Sequence, residues 1–177
     1  MTKIIFLGTA CMQPTKERSH PAILIEYKGE NLLMDCGEGT QRQLKIAGVK
    51  PSTIQKIMIS HWHGDHSLGL PGLMQTLATS DYSGTLSLFG PVGTKKNIQK
   101  LVEIYGGRDF IRFEVTEISE SGVFYENSDY TLEAFSLKHN IPTIGFCFKE
   151  KDKRKINVSV VRKLGLPDGP LLGRLQR

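Results

Sequence analysis

A chain of 177 residues with 39% hydrophobic content and a net charge of +5 can bury one real core and is too mixed for a disordered or low-complexity segment. No apolar run approaches the ~20 residues that a bilayer crossing needs, and no signal-peptide core follows Met1-Thr2-Lys3. Three scattered cysteines, Cys11, Cys36 and Cys147, form no CxxC pair, which excludes a disulfide scaffold and fits a reduced, cytoplasmic protein.

In chain order, 3–6, 22–27 and 31–35 read as strands, with Lys28-Gly29-Glu30 as a hairpin turn. Thr40-x-x-Gln43 has capping-box form and opens a short helix through Ala47 that stops at Gly48. Residues 57–60 form a buried strand, followed by a histidine-rich hexapeptide and a helix from Leu70 to about Thr79, with Pro71 tolerated in its first turn. A strand over 85–89 precedes a helix over 93–105 whose apolar face is Ile98, Leu101, Val102 and Tyr105. Strands over 111–118, 123–125, 130–137 and 144–148 follow, then a short helix over 157–165 and a rigid turn at Leu166-Pro167-Asp168-Gly169-Pro170. This order suits one sheet with helices on its outer face, an α/β arrangement. Cys36 and Cys147 read as small core residues.

His61-Trp62-His63-Gly64-Asp65-His66 places three of the five histidines and a carboxylate within six positions, directly after a strand. Imidazoles at i and i+2 can turn to one cation, and the Asp-His pair that follows can face a second. Neutral imidazole and carboxylate are ligands that zinc prefers, and two neighbouring ions make a hydrolytic centre. A polar loop of merely hydrogen-bonded histidines is the bland alternative, and the density of the cluster argues against it. Trp62 and His20 read as structural.

The box resembles the His-x-His-x-Asp-His signature of the metallo-β-lactamase superfamily. Phe6-Leu7-Gly8-Thr9 with Pro14-Thr15-Lys16-Glu17-Arg18, then Met34 to Gln43, then His139-Asn140-Ile141-Pro142-Thr143-Ile144-Gly145-Phe146 resemble successive blocks of ribonuclease Z, the tRNA 3′-processing endonuclease family. The resemblance implies one half of an αββα sandwich over 1–148 and the start of a protruding tRNA-binding arm over 149–177. It implies that His61, His63 and His139 hold one zinc ion and that Asp65 and His66 begin a second site. It also implies that Asp65 orients or deprotonates the attacking water and that Asp35 orients the histidine loop. Lys16 and Arg18 would contact substrate phosphates. Two Zn2+ per subunit, a homodimer and precursor tRNA as substrate belong to the same implication. The family's later ligands, an aspartate and a histidine, have no counterpart after His139, so the chain looks like the N-terminal portion of a longer protein. A half-sandwich would leave a large apolar surface exposed.

Charge is unevenly spread: residues 149–177 carry nine Lys/Arg against three Asp/Glu (+6), and residues 1–148 carry 14 against 15 (−1). Charge alone leaves a solvated loop and a phosphate-binding segment equally open; the ribonuclease resemblance favours the second. The function expected is a zinc phosphodiesterase removing the 3′ trailer of precursor tRNA. Two other readings remain beside it: another hydrolase of the fold, such as a phosphodiesterase, arylsulfatase or lactonase, and a non-catalytic RNA- or metal-binding remnant.

Overall fold

The computed structural model describes residues 1–80, 82–105, 111–152, 156–165 and 172. Lys153 to Lys155, the turn over 166–170 and the end of the expected arm (171 and 173–177) lie outside the described residues.

Two sheets are present where the order of elements had suggested one. The first has six strands, β1 (Thr2–Gly8), β2 (Ala22–Tyr27), β3 (Glu30–Met34), β4 (Ile54–Met58), β5 (Leu86–Pro91) and β6 (Phe113–Ile118), in that spatial order. β1 to β3 are antiparallel, with the β2–β3 turn at Lys28 and Gly29, both at positive φ as a tight hairpin requires. β3 to β6 are parallel and need crossovers. α1 (Thr40–Ile46), α3 (Leu70–Ala78) and α4 (Thr94–Tyr105) lie in those crossovers. The second sheet is the antiparallel meander β7 (Gly122–Glu126), β8 (Tyr130–Leu137) and β9 (Thr143–Glu150). The sequence order hid this division, because nothing local tells a seventh strand of one sheet from the first of another.

Cross-strand register shows how alternation makes two cores. Ile5, Leu24, Leu33, Ile57, Leu88 and Val115 stand side by side across all six strands and pack beneath the helices with Leu44, Leu73, Leu77 and Ile98. The opposite face presents Ile25, Leu32, Met34, Met58 and Phe89 to Tyr130, Leu132, Ala134, Ile144 and Phe146 of the second sheet. Truncating a buried aliphatic of this kind to alanine costs about 2–5 kcal/mol. The expected exposed apolar surface is present: Ile4 and Phe6, in register with Ile25 and Ile23, are 57% and 66% accessible, and Val123, Phe135 and Leu137 are exposed on the small sheet. Tyr105, assigned to the apolar face of α4, is half-exposed, whereas Ile98 is buried.

Three local readings need correction. β4 begins at Ile54, after a 3-10 turn over Pro51–Thr53, and ends at Met58, so Ile59 and Ser60 belong to the loop. The capping box does not form: Gly39, with φ +84°, caps α1, the Thr40 hydroxyl donates to the Gly37 carbonyl, and Gln43 donates to Ser19. A short helical turn, α2 (Gly64–Ser67), sits inside the histidine box. α5 (Val158–Lys163) is capped by the Asn157 side chain, and Gly165 follows it at φ +67°. Cys36 is fully buried and burial pushes its thiol up to about 12, whereas Cys147 is only half-buried and Cys11 is exposed.

Candidate metal centre

The histidine box leaves the first sheet where β4 ends, and three backbone hydrogen bonds set its path. Asp35 N–H donates to the Met58 carbonyl, Cys36 N–H to the His66 carbonyl, and Gly69 N–H to the Cys36 carbonyl, at 2.8 to 2.9 Å. The segment after β3 is thereby fastened along the box. Fit here is tight: a Cβ on Gly37 would stand 2.2 Å from the Asp65 carbonyl oxygen, and one on Gly69 would stand 2.0 Å from that of Gly37. Within α2, the Ser67 hydroxyl and the His66 N–H both donate to the His63 carbonyl.

His139 arrives from the other sheet. It lies in the turn between β8 and β9, and β9 is tied to the box by the Ile144 N–H, which donates to the Ser60 carbonyl at 3.0 Å. One potential ligand atom each from His61, His63 and His139 lies within 4.8 Å of the others, with His61 buried, His63 half-buried and His139 exposed. Ring centroids are 4.8, 5.0 and 4.9 Å apart, a nearly equilateral triangle. His139 Nε2 is 3.2 Å from His63 Nδ1. Zn–N bonds of 2.0–2.1 Å in tetrahedral geometry separate ligand nitrogens by about 3.3 Å, so this pair already has the required spacing. The donor set and its geometry fit a zinc ion.

Asp65 and His66 face each other across 3.5 Å, from Asp65 Oδ2 to His66 Nε2. His66 Nδ1 is held by Asp35 Oδ2 at 2.7 Å. Asp35 also accepts from the Ser60 backbone N–H at 2.7 Å and from its hydroxyl at 2.9 Å, and Ser60 Oγ stands 2.9 Å from His61 Nδ1. To do this Asp35 adopts φ +58°, a left-handed conformation that Asp tolerates better than most residues. Burial and the neighbouring His66 charge push the His61 pKa down, against the pull of Asp35. Burial also works against the charged form of His66, but the Asp35 hydrogen bond and the charges of Asp35 and Asp65 outweigh it and raise the pKa.

Of the other expected site residues, Lys16 and Arg18 are exposed on the loop between β1 and β2. That loop is organised by the Thr15 hydroxyl, which accepts from the Glu17 and Arg18 N–H groups. Its base shares a cleft with the site: Thr9, Ala10, Pro21, Ser60, His61 and Phe146 line a volume of about 490 Å³. Trp62 packs toward the outer core and donates to Thr94, as a structural residue should. His20 is buried, yet neither ring nitrogen has a hydrogen-bond partner. The residue missed by sequence reasoning is Ser60. Its one signal is that it directly precedes the box.

Residues 2–159 match the model of a family described as Anti-Pycsar protein Apyc1. The chain belongs to that family. The match was not foreseen from the sequence blocks, whose ribonuclease Z resemblance is upheld separately. The chain is 42% identical to the ribonuclease Z of Thermococcus kodakarensis over 178 residues, covering 100% of this chain and 56% of the relative. It is 40% identical to that of Pyrococcus horikoshii, of which it covers 58%. This family member thus spans little more than half the length of these curated relatives. Among solved structures it resembles the short form of human tRNase Z, with a TM-score of 0.78 and 32% identity over 85% of this chain and 65% of that one. The metallo-β-lactamase fold protein YhfI of Bacillus subtilis superposes with a TM-score of 0.70 at 17% identity, a likeness of fold alone. The fold is the metallo-β-lactamase fold.

Proposed function

We propose that the chain carries the zinc-binding part of an endoribonuclease that removes the 3′ trailer from precursor tRNA. The observation that carries this reading is the convergence of His61, His63 and His139 from two sheets, beside a second point faced by Asp65 and His66. Identity to ribonucleases Z along the whole chain supports the choice of substrate. His61, His63 and His139 would hold one zinc ion, and Asp65 and His66 would contribute to a second. A bound zinc ion supplies Lewis acidity and lowers the pKa of water to near neutrality.

The chain's own residues then divide the work. Asp65, whose carboxylate stands 3.5 Å from His66 Nε2, accepts a proton from the attacking water. Lys16 and Arg18 position substrate phosphates from the loop whose base lines the cleft. Residues 149–177, with their +6 charge, form the start of an arm that adds affinity for the tRNA backbone. The arm's assigned start overlaps the end of β9, which runs to Glu150. No described helix is long and apolar enough to cross a membrane, and we place the protein in the cytoplasm. A second copy is the proposed subunit partner, and the exposed Ile4, Phe6, Phe135 and Leu137 are apolar surface suited to association.

The test is a precursor tRNA labelled in its 3′ trailer. The zinc-loaded 177-residue chain should release the trailer slowly, at one bond, because its proposed second site draws on just Asp65 and His66. His63→Ala should remove that cleavage. Zinc and tRNA binding with no cleavage at all would leave the non-catalytic reading in place. Turnover of small phosphodiesters without tRNA would favour a different hydrolase.

A further inference from the structure

We infer that Ser60 is a positioning residue that hands the influence of Asp35 on to His61, so that one carboxylate fixes the tautomers of two histidines aimed at two metal points. The inference rests on the metal reading above and goes beyond its ligand set.

The hydrogen-bond arithmetic allows one arrangement. An ionised carboxylate only accepts, and a serine hydroxyl has a single proton to give. Asp35 Oδ2 is 2.9 Å from Ser60 Oγ and 2.7 Å from His66 Nδ1, so both must donate to it. The Ser60 proton is then committed to Asp35, and its oxygen faces His61 Nδ1 at 2.9 Å as an acceptor. His61 must therefore carry its proton on Nδ1. The reverse, Ser60 donating to His61, would set a hydroxyl lone pair against a carboxylate lone pair at 2.9 Å. A longer approach of Ser60 Oγ to His66 Nδ1, at 3.4 Å, is secondary to the Asp35 contact.

The consequence is that in the neutral form a metal-binding imidazole needs, His61 and His66 both present an unprotonated Nε2, each fixed from behind. His66 Nε2 faces Asp65, and His61 belongs to the three-histidine cluster. His63 is built the other way, turning Nδ1 toward His139 Nε2, and supplies an internal control. Partners of this kind orient metal-binding imidazoles and raise their basicity, and losing one typically costs 10–100-fold in metal affinity. The Asp35–Ser60 pair couples the two points: whatever displaces Asp35 disturbs both.

The experiment is long-range ¹H–¹⁵N correlation of the histidine rings in the metal-free 177-residue chain, together with zinc affinity measured by chelator competition. Wild type should show His61 as the Nδ1–H tautomer. Ser60→Ala should release His61 from that tautomer, leave His63 unchanged and His66 on Asp35, and weaken zinc binding about 10–100-fold. Ser60→Thr, which keeps the hydroxyl, should restore both readouts. An unchanged His61 tautomer in Ser60→Ala overturns the relay, as does failure of Ser60→Thr to rescue while its thermal melt matches wild type. If the tautomers respond as described but wild type takes up no zinc, the relay stands and the metal reading falls.

Discussion

The two ends of the sandwich treat buried polar groups in opposite ways. At the start of the parallel strands, Lys56 is nearly buried between the sheets, 2.6 Å from Glu30 Oε2, with its ammonium over the Tyr125 ring at 4.6 Å. The Tyr130 hydroxyl donates to the same Glu30 oxygen at 2.6 Å. Burial would push the Glu30 carboxyl up, but the hydrogen bonds from Lys56 and Tyr130 outweigh it and hold it below the usual carboxylate range. Burial and Glu30 together push the Tyr130 hydroxyl up, so it stays a donor. Every group there is answered by another in the cluster. Where β4 ends, Asp35 and Ser60 answer only one nitrogen each of His61 and His66, and the other nitrogen of His66 faces Asp65. A closed cluster docks one sheet on the other, whereas the half-closed one leaves imidazole nitrogens for the metal proposed above.

That contrast can be broken from either side. The largest effect should come from His139→Ala, which removes the proposed ligand supplied by the second sheet. Zinc affinity by calorimetry should fall by more than the roughly 100-fold that an outer partner commands, with little change in the metal-free melt. Lys56→Met should do the reverse. It leaves Glu30 and Tyr130 without their cation and costs on the order of 2 kcal/mol in urea unfolding, Glu30 being partly able to reach water. Zinc affinity should be unchanged, and a parallel loss would mean that the two ends are not independent.

Gly37→Ala sharpens the contrast at the box itself. Its new methyl must displace the Asp65 carbonyl, at a cost of about 1–3 kcal/mol in stability. The Asp65–His66 point should be disturbed more than the three-histidine cluster, which cobalt(II) spectra can separate. The smallest effect concerns pH. Glu30 titrates lower in the folded chain than in the unfolded chain, so its contribution is present above the ordinary carboxylate pKa. It is lost as pH falls through the depressed folded value. Denaturant midpoints should therefore decline on acidification in wild type, and less so in Glu30→Gln.

The two ends also differ in how much of them can be read from sequence. His61, His63, Asp65 and His66 are legible because their chemistry is concentrated in six consecutive positions, and His139 because its block resembles a known one. Nothing local announces the Glu30–Lys56–Tyr130 cluster, whose members lie on three strands and which Tyr130 joins only when the second sheet docks. Ser60 escaped notice for a related reason: its importance depends on Asp35, 25 positions earlier, taking a left-handed turn. The capping box failed because Gly39 and Ser19 offered Thr40 and Gln43 a different geometry from the one their spacing favours. Strand existence was visible, but the allocation of strands to two sheets was not.

The position of His139 in a turn of the second sheet ties occupancy of the cluster to assembly of the whole domain. His63 and His139 are 76 positions apart, and their rings meet only if β8 and β9 are seated on the first sheet. An ion held by both, as proposed, would be a removable cross-link that reports docking of the two sheets. Its contribution follows mass action, about 2.7 kcal/mol when free zinc stands a hundredfold above its dissociation constant. Chelation would therefore loosen the two layers before it unfolds either one, and hydrogen exchange along β8 and β9 would register the loss first.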